Sequence, residues 1–195
     1  MAPMHTVELK HAYRLLNHGP TVLVGSAHAG RSNVMAAAWA MPLDFDAPKI
    51  AVVVDKSTLT RELIDASGVL SLCVPTVAMK DLVMAAGGMS GKNHPDKLSL
   101  CKISTEAAPQ TGVPLVDGCI AQMECRVLPA TAHVGGPHDL ILAEVIGAWA
   151  DERVFSQGRW HFENAPPELR SLHHVAGGHF YAIGEAVQAL PVVNA

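Results

Sequence analysis

The sequence predicts an α+β, mainly β fold in which the strands form a barrel. Its length of 195 residues favours one compact domain over residues 1–195. Helical patterns occur only between the early strands, and strand patterns dominate the second half of the chain. Parallel sheets instead show regular β-α-β alternation, so this order favours a closed-barrel or other α+β arrangement.

The early strands are predicted from apolar, β-branched runs. Thr21 to His28 is such a run, and His28-Ala29-Gly30 offers a turn before a second apolar segment that extends to Trp39. Together these segments predict a hairpin. Lys49 to Val54 lacks alternation, which predicts a strand buried on both faces.

Two helices are predicted between these strands. Ser57 to Ala66 begins with hydroxyl residues that can cap a helix, and Gly68 follows as a stop. Val77 to Ala86 has a helical pattern that ends at Gly87-Gly88. The remaining predicted strands are Val69–Val74, Val116–Leu128, Asp139–Trp149 and Val154–Phe162, with loops at Gly88–Pro95 and Thr105–Pro114.

Composition and charge argue against two classes of protein. The net charge of -4 is unlike that of a chain that binds phosphate backbones, so nucleic acid is not expected as a partner. The longest apolar run, Val34 to Leu43, contains a proline and is far shorter than the roughly 20 residues of a membrane span.

The N-terminal segment shows no secretory pattern, which predicts a cytoplasmic protein. The hydrophobic share of 49% is high, and a partner subunit would cover part of that surface.

The cysteines and histidines do not predict a metal site. No C-x-x-C pair occurs, so reduced and mostly buried thiols are expected at Cys73, Cys101, Cys119 and Cys125. Adjacent or irregularly spaced histidines lack ligand spacing on a helix or strand, and these are His94, His133, His138, His173 and His174.

Other common motifs are also missing. Gly25 to Gly30 lacks the middle glycine of G-x-G-x-x-G, and Gly87 to Lys92 is one residue too short for a P-loop. No G-x-S-x-G elbow occurs, although single Ser, His and Asp residues could still meet in space as a hydrolase site.

The segment Asp55 to Arg61 has the composition of a phosphate site. It places a lysine and three hydroxyl residues at the start of a predicted helix, where free amides and the helix dipole favour an anion. An ordinary helix cap with solvated charges explains the same residues when the segment is taken alone.

Several separated segments then resemble one family, the flavin reductase-like, FMN-binding split barrels of flavoredoxin type. Asn33 to Trp39 resembles the family's N-x-M-x-x-x-W stretch, and Thr60 to Gly68 its following helix. The remaining matches are Ser90-Gly91-Lys92 with Asp96-Lys97-Leu98, Gly136–Val145 and Gly177–Glu185. Pro137 and Ala143 depart from the acidic residue and the glycine that the fourth motif usually carries.

The resemblance implies a six-stranded, Greek-key split β-barrel with flanking helices, paired as a homodimer that holds FMN near the subunit interface. The residues it places at the cofactor are Asn33, Val34, Met35, Ala36, Trp39, Lys56, Ser57, Thr58, Thr60, Lys97, His138 and Phe180. Within this set the three hydroxyl residues contact phosphate or ribityl oxygens, and Lys97 adds positive charge. His138 and Phe180 flank the flavin, from the same subunit or its partner. Core packing for Trp39 and Phe180, a solvated loop cation for Lys97 and a strand histidine for His138 are the alternatives.

The activity implied is hydride transfer from NAD(P)H to the flavin, followed by delivery of electrons to free flavin, oxygen, an oxygenase or another acceptor. The cofactor supplies this chemistry, so no catalytic acid or base is assigned. The alternatives are a non-catalytic FMN electron carrier and a split barrel that binds another cofactor, such as deazaflavin or haem.

Overall fold

A computed structural model of the chain describes residues 4–190, and residues 1–3 and 191–195, at the two ends of the predicted domain, lie outside the described residues. The strands are β1 (Met4–Thr6), β2 (Val22–His28), β3 (Arg31–Ala37), β4 (Ala40–Phe45), β5 (Pro48–Val53), β6 (Val69–Val74), β7 (Thr105–Ala107), β8 (Pro114–Val116), β9 (Ala121–Val127), β10 (Leu140–Asp151), β11 (Phe155–Ser156), β12 (Arg159–Trp160), β13 (Leu172–Ala176) and β14 (His179–Ala182). The α-helices are α1 (Leu9–Ala12), α2 (Leu59–Ser67), α3 (Lys80–Gly88), α4 (Lys97–Leu100) and α5 (Thr131–His138).

One antiparallel sheet of eight strands organises the described residues. Its order is β3-β2-β6-β9-β10-β5-β4, and β1 pairs with the end of β10 beyond the β5 contact. The sheet does not close, as expected of a split barrel, so the mainly β prediction is confirmed. The sheet has eight strands where the resemblance implied six. The apolar run that contains Pro42 supplies the edge strand β4, where a residue without an N–H costs no hydrogen bond inside the sheet.

The predicted hairpin and first helix are confirmed. β2 and β3 pair from Val22–Ala37 to His28–Arg31 around the predicted turn. Thr58 caps α2 by accepting a hydrogen bond from the Arg61 amide at 3.2 Å. Gly68 ends α2 with φ of 72°, a conformation that glycine adopts without strain.

Several segments differ from the sequence prediction. The predicted loop Thr105–Pro114 contains strand β7, and the predicted strand Val116–Leu128 begins only at Ala121. Val154 to Phe162 was expected as one strand, but it forms the two-residue strands β11 and β12, joined by a turn in which Gln157 and Gly158 have positive φ. Residues 131–138 form α5 although they include Gly135, Gly136 and Pro137. Tertiary contacts hold this helix, since the Thr131 hydroxyl donates to the Leu142 carbonyl at 2.9 Å.

The core forms two hydrophobic clusters, one on each side of the sheet's central strands. Leu70, Leu72 and Met123 belong to the larger cluster, while Leu23 and Val34 belong to the smaller one beside α3. The four cysteines are free and buried, as predicted. Among residues 4–190 no helix is long and apolar enough to cross a membrane, and no three His, Cys, Asp or Glu side chains gather at a metal-binding distance.

Candidate functional site

A cavity of about 590 Å³ lies between β3, the end of α3 and the β13–β14 hairpin. Most of the groups that line it are apolar or small, and no lysine or arginine is among them. The lining residues are Thr21, Met35, Ala36, Ala37, Ala38, Trp39, Val53, Asp55, Val83, Met84, Gly87, Gly88, His174, Val175, Gly177 and Phe180. This size and composition suit an organic cofactor with a flat apolar ring.

One wall of the cavity is the run from Met35 to Trp39 at the end of β3. Three successive alanines keep this wall flat and close to its backbone. A Cβ placed on Gly87 would lie 3.4 Å from the Ala36 Cβ, so the end of α3 packs directly against β3 at this point. The predicted cofactor-contacting residues Met35, Ala36 and Trp39 therefore do line one cavity.

Trp39 and Phe180 are the two large aromatic residues that line the cavity. Trp39 is 75% exposed, so core packing, the alternative for this residue, is wrong. Phe180 is half-buried, packs against the smaller core cluster and also lines the cavity. Its side chain therefore combines core packing with a position at the predicted cofactor site. The His174 ring meets the Phe180 ring edge to face at 5.3 Å.

The start of α2 lies at one end of the cavity, because Asp55 lines it. The Asp55 carboxylate accepts a hydrogen bond from the Ser57 amide at 2.7 Å, and the Thr58 hydroxyl donates to the Asp55 carbonyl at 2.7 Å. The Ser57 hydroxyl and amide hold the pKa of Asp55 below its ordinary value. These contacts fix the turn before the helix, whose first amides have no intrahelical partner.

Four of the predicted residues lie behind the cavity rather than on its surface. Val34, Thr60 and Lys97 are buried, and so is Asn33, whose amide donates to the Thr60 hydroxyl at 2.7 Å. Lys97 donates to the Ala86 carbonyl at 2.7 Å, which holds the last turn of α3, and burial lowers the Lys97 pKa. Thr60 and Lys97 are thus buried, hydrogen-bonded to other parts of the chain and absent from the cavity lining.

Lys56, Ser57 and His138 are exposed. Lys56 donates to the Gly136 carbonyl at 3.3 Å, which brings the start of α2 beside the end of α5. His138 ends α5 and is not a lining residue of the cavity, nor does it lie in a strand as the alternative for it assumed.

Sequence reasoning missed the second wall of the cavity. His174, Val175 and Gly177 line it from the β13–β14 hairpin, and Val83 and Met84 line it from α3. Gly177 belongs to the segment Gly177–Glu185 that resembles the family, whereas His174 was considered only as a metal ligand. The signal that could have indicated the hairpin is the Gly177-Gly178 turn between two short β-prone segments.

The open antiparallel barrel and its apolar cavity define a split-barrel protein that binds a ring-shaped organic cofactor. Residues 14–167 match the family model described as "Flavin reductase like domain", and the chain therefore belongs to the flavin reductase-like family.

Three similar proteins illustrate the relationship. The uncharacterized protein YddH of Escherichia coli (strain K12) is 46% identical over 186 residues, which are 94% of this chain and 96% of YddH. The crystal structure of an FMN-binding domain of a flavin reductases-like enzyme from Shewanella baltica OS155 is 48% identical, covers 96% of this chain and 98% of its own, and superposes with a TM-score of 0.94. The FMN reductase (NADH) RutF of Variovorax paradoxus (strain S110) is 27% identical over 166 residues, with 82% of this chain and 87% of RutF covered.

Proposed function

We propose that the protein binds FMN in the cavity between β3 and the β13–β14 hairpin and passes electrons from NAD(P)H through the flavin to an acceptor in the cytoplasm. The observation that carries the proposal is that three successive alanines, Trp39 and Phe180 line one cavity that has no lysine or arginine in its lining. The Shewanella baltica domain is described as FMN-binding, and RutF as an NADH-dependent FMN reductase.

The residues present fit an isoalloxazine ring. The small side chains of Ala36 to Ala38 leave room for a flat ring, while Trp39 and Phe180 supply aromatic surface in the same lining. When bound, the flavin accepts a hydride and releases electrons singly or in pairs. The protein's own side chains position the ring and exclude water from it. Asp55 and His174 are the titratable groups of the lining, and this chemistry requires neither as an acid or base.

The start of α2 fits the phosphate. Its first-turn amides and the positive end of the helix dipole favour an anion, and Lys56 and Ser57 are exposed beside them. Thr58 is half-buried and its oxygen already caps the helix, so its contribution is to hold the loop. Within this arrangement Asn33, Thr60 and Lys97 act from behind by fixing β3, α2 and α3.

The working assembly in this proposal is a homodimer. Strand β4 exposes Met41, Leu43 and Phe45 at alternate positions, and this apolar face continues from Trp39 at the cavity rim. An exposed apolar stripe of this kind is typical of an interface between subunits. A partner seated on it would stand beside the cavity and shield the flavin. His138 is exposed and belongs with this outer side as a residue that flanks the cofactor.

An absorption spectrum and a cofactor titration test the proposal. The purified protein should show flavin bands or acquire them with FMN, and micromolar protein should quench FMN fluorescence. Absence of both would contradict the cofactor assignment. With FMN bound, steady oxidation of NADH or NADPH is expected in the presence of free flavin or oxygen. A protein that binds FMN but does not consume either nicotinamide would instead be an electron carrier.

A further inference from the structure

A chain of hydrogen bonds through one buried serine lies beside the cavity, and the activity just proposed does not use it. His18 Nε2 lies 3.0 Å from the Ser171 hydroxyl, and that hydroxyl lies 3.3 Å from His173 Nε2. His173 Nδ1 in turn lies 3.0 Å from the Gly19 carbonyl. Ser171 is fully buried. We call His18, Ser171 and His173 the histidine–serine chain.

With both rings neutral, the carbonyl at one end fixes the direction of every bond in the chain. A carbonyl can only accept, so His173 donates from Nδ1 to Gly19 and its Nε2 is an acceptor. The Ser171 hydroxyl therefore donates to His173, and His18 donates from Nε2 to the Ser171 oxygen. His18 Nδ1 is then left as a lone pair, which agrees with its being a buried atom without a hydrogen-bond partner. Only neutral rings satisfy this order.

The histidine–serine chain is directly connected to the cavity wall. His173 is followed by His174, which lines the cavity and whose amide donates to the Thr21 hydroxyl at 2.8 Å. The Thr21 amide donates to the Leu172 carbonyl at 2.8 Å. The β13–β14 hairpin thus attaches to the start of β2 through these bonds and the histidine–serine chain. This hairpin lies beyond residues 14–167, the part that matches the family model.

We propose that His18, Ser171 and His173 are positioning residues that hold the β13–β14 hairpin over the cavity, and that acid releases the hairpin and with it the cofactor. The proposal rests on FMN binding in this cavity. A protonated His173 would donate to the Ser171 oxygen, so the hydroxyl hydrogen would turn to His18 Nε2. The His18 proton would then sit on Nδ1, a buried atom that has no hydrogen-bond partner. An unpaired buried polar group is costly, so the closed position of the hairpin requires the neutral form.

The surroundings of both rings also disfavour protonation. Burial, and then the charge of His173, lower the pKa of His18 from 6.5 to about 4. Burial lowers the pKa of His173 and outweighs the opposing contact with Gly19. Trp160 and Phe162 pack on His18 at ring distances of 5.2 and 5.6 Å. The other titratable groups on the elements around the chain are Tyr13, Arg14, Arg159, His161, Glu163, Glu168, Arg170, His174, His179 and Tyr181. None of these is hydrogen-bonded to His18 or His173 in residues 4–190.

The sign of the pH effect follows from these directions. When the hairpin is released, the pKa values of His18 and His173 return to about 6.5. In the closed position both pKa values are lower. The closed form is therefore fully favoured above pH 6.5 and loses its advantage as the pH falls below that value. FMN should bind about tenfold more weakly at pH 5 than at pH 7.5. Riboflavin titrated alongside should weaken as well, which separates release of the hairpin from protonation of the phosphate.

Three variants test the assignment. Ser171→Ala removes the central hydroxyl, so we expect FMN affinity at pH 7.5 to fall about three- to tenfold, and amides of residues 172–182 to exchange faster. Ser156→Ala is the matched control, because Ser156 makes a similar 2.8 Å hydrogen bond to His161 away from the cavity, and it should change neither quantity. His173→Gln keeps an acceptor for Ser171 but cannot titrate, so its FMN affinity should fall less between pH 7.5 and pH 5 than that of the wild type, and His18 accounts for the fall that remains.

Nitrogen NMR of the cofactor-free protein tests the chain independently of FMN. We expect a proton on Nδ1 of His173 and on Nε2 of His18, and loss of the Ser171 hydroxyl should disturb both. The opposite tautomers, or unchanged exchange at residues 172–182 in Ser171→Ala, would overturn the proposal. A wild-type pH profile retained in His173→Gln would overturn it too. If FMN itself fails to bind, the tautomers and the exchange rates still decide for or against the histidine–serine chain.

Discussion

Single residues at the site divide into those that face the cavity and those that support it. Met35, Ala36 and Trp39 face it, whereas Thr60 is buried with its hydroxyl accepting a hydrogen bond from Asn33. Motif spacing could select all of these residues but could not separate the two groups. The separation depends on how α2 packs on β2 and β3, which is a contact between distant parts of the chain.

This division predicts different effects for two substitutions. Lys56→Ala removes an exposed cation at the start of α2, so FMN should bind about tenfold more weakly while riboflavin binding stays unchanged, since a charge-assisted hydrogen bond contributes roughly 1.5 to 3 kcal/mol. Thr60→Ala leaves the buried Asn33 amide without its acceptor, so the free energy of unfolding should fall by about 1 to 3 kcal/mol. Its FMN-to-riboflavin ratio should stay near that of the wild type.

Fluorescence titrations with both flavins and urea unfolding measure these effects. Lys10→Ala, which removes an exposed lysine paired with Glu8 away from the cavity, is the control for the loss of charge. A loss of FMN preference in Thr60→Ala rather than in Lys56→Ala would return Thr60 to the phosphate site.

Among helices and strands, the sequence predicts those whose turn, cap and stop residues lie within the segment itself. The β2–β3 hairpin and α2 carry their turn, cap and stop residues within the segment itself, and both were predicted correctly. Helix α5 contains residues that disfavour helices, and it is held from outside by Arg61, which donates to the Gly135 carbonyl at 3.0 Å. No property of residues 131–138 alone could have indicated that contact.

The loop between α3 and α4 gives an element-scale prediction. A Cβ on Gly91 would lie 2.5 Å from Asn33 Oδ1 and 2.9 Å from Leu59 Cδ2, and Asn33 cannot move without breaking its bond to Thr60. Gly91→Ala should therefore lower the free energy of unfolding by about 1 to 3 kcal/mol. Gly136→Ala is the control, because nothing lies within 4 Å of the added methyl group. Equal stability of the two variants in urea would show that the loop does not pack on β3 as described.

The whole molecule combines a negative net charge with an unusually apolar composition, and part of its exposed apolar surface lies along β4. The face of β4 and the cavity rim meet at Trp39. The sequence predicted the excess of apolar residues, but it did not show which of them would remain exposed. Their position follows from β4 being an edge strand, which in turn depends on the order of strands in the sheet.

That position predicts how the molecule assembles. Leu43 on β4 is 49% exposed and Leu100 on α4 is 52% exposed, so the two leucines match in type and exposure but differ in location. If β4 forms the dimer interface, Leu43→Lys places two like charges in a desolvated contact, and light scattering at micromolar protein should shift from dimer to monomer mass. Leu100→Lys should remain a dimer. FMN should bind the Leu43→Lys monomer more weakly, because the partner would no longer cover the exposed side of the flavin beside Trp39. A wild-type chain of monomer mass, or a Leu43→Lys chain that stays dimeric, would place the interface elsewhere or remove it.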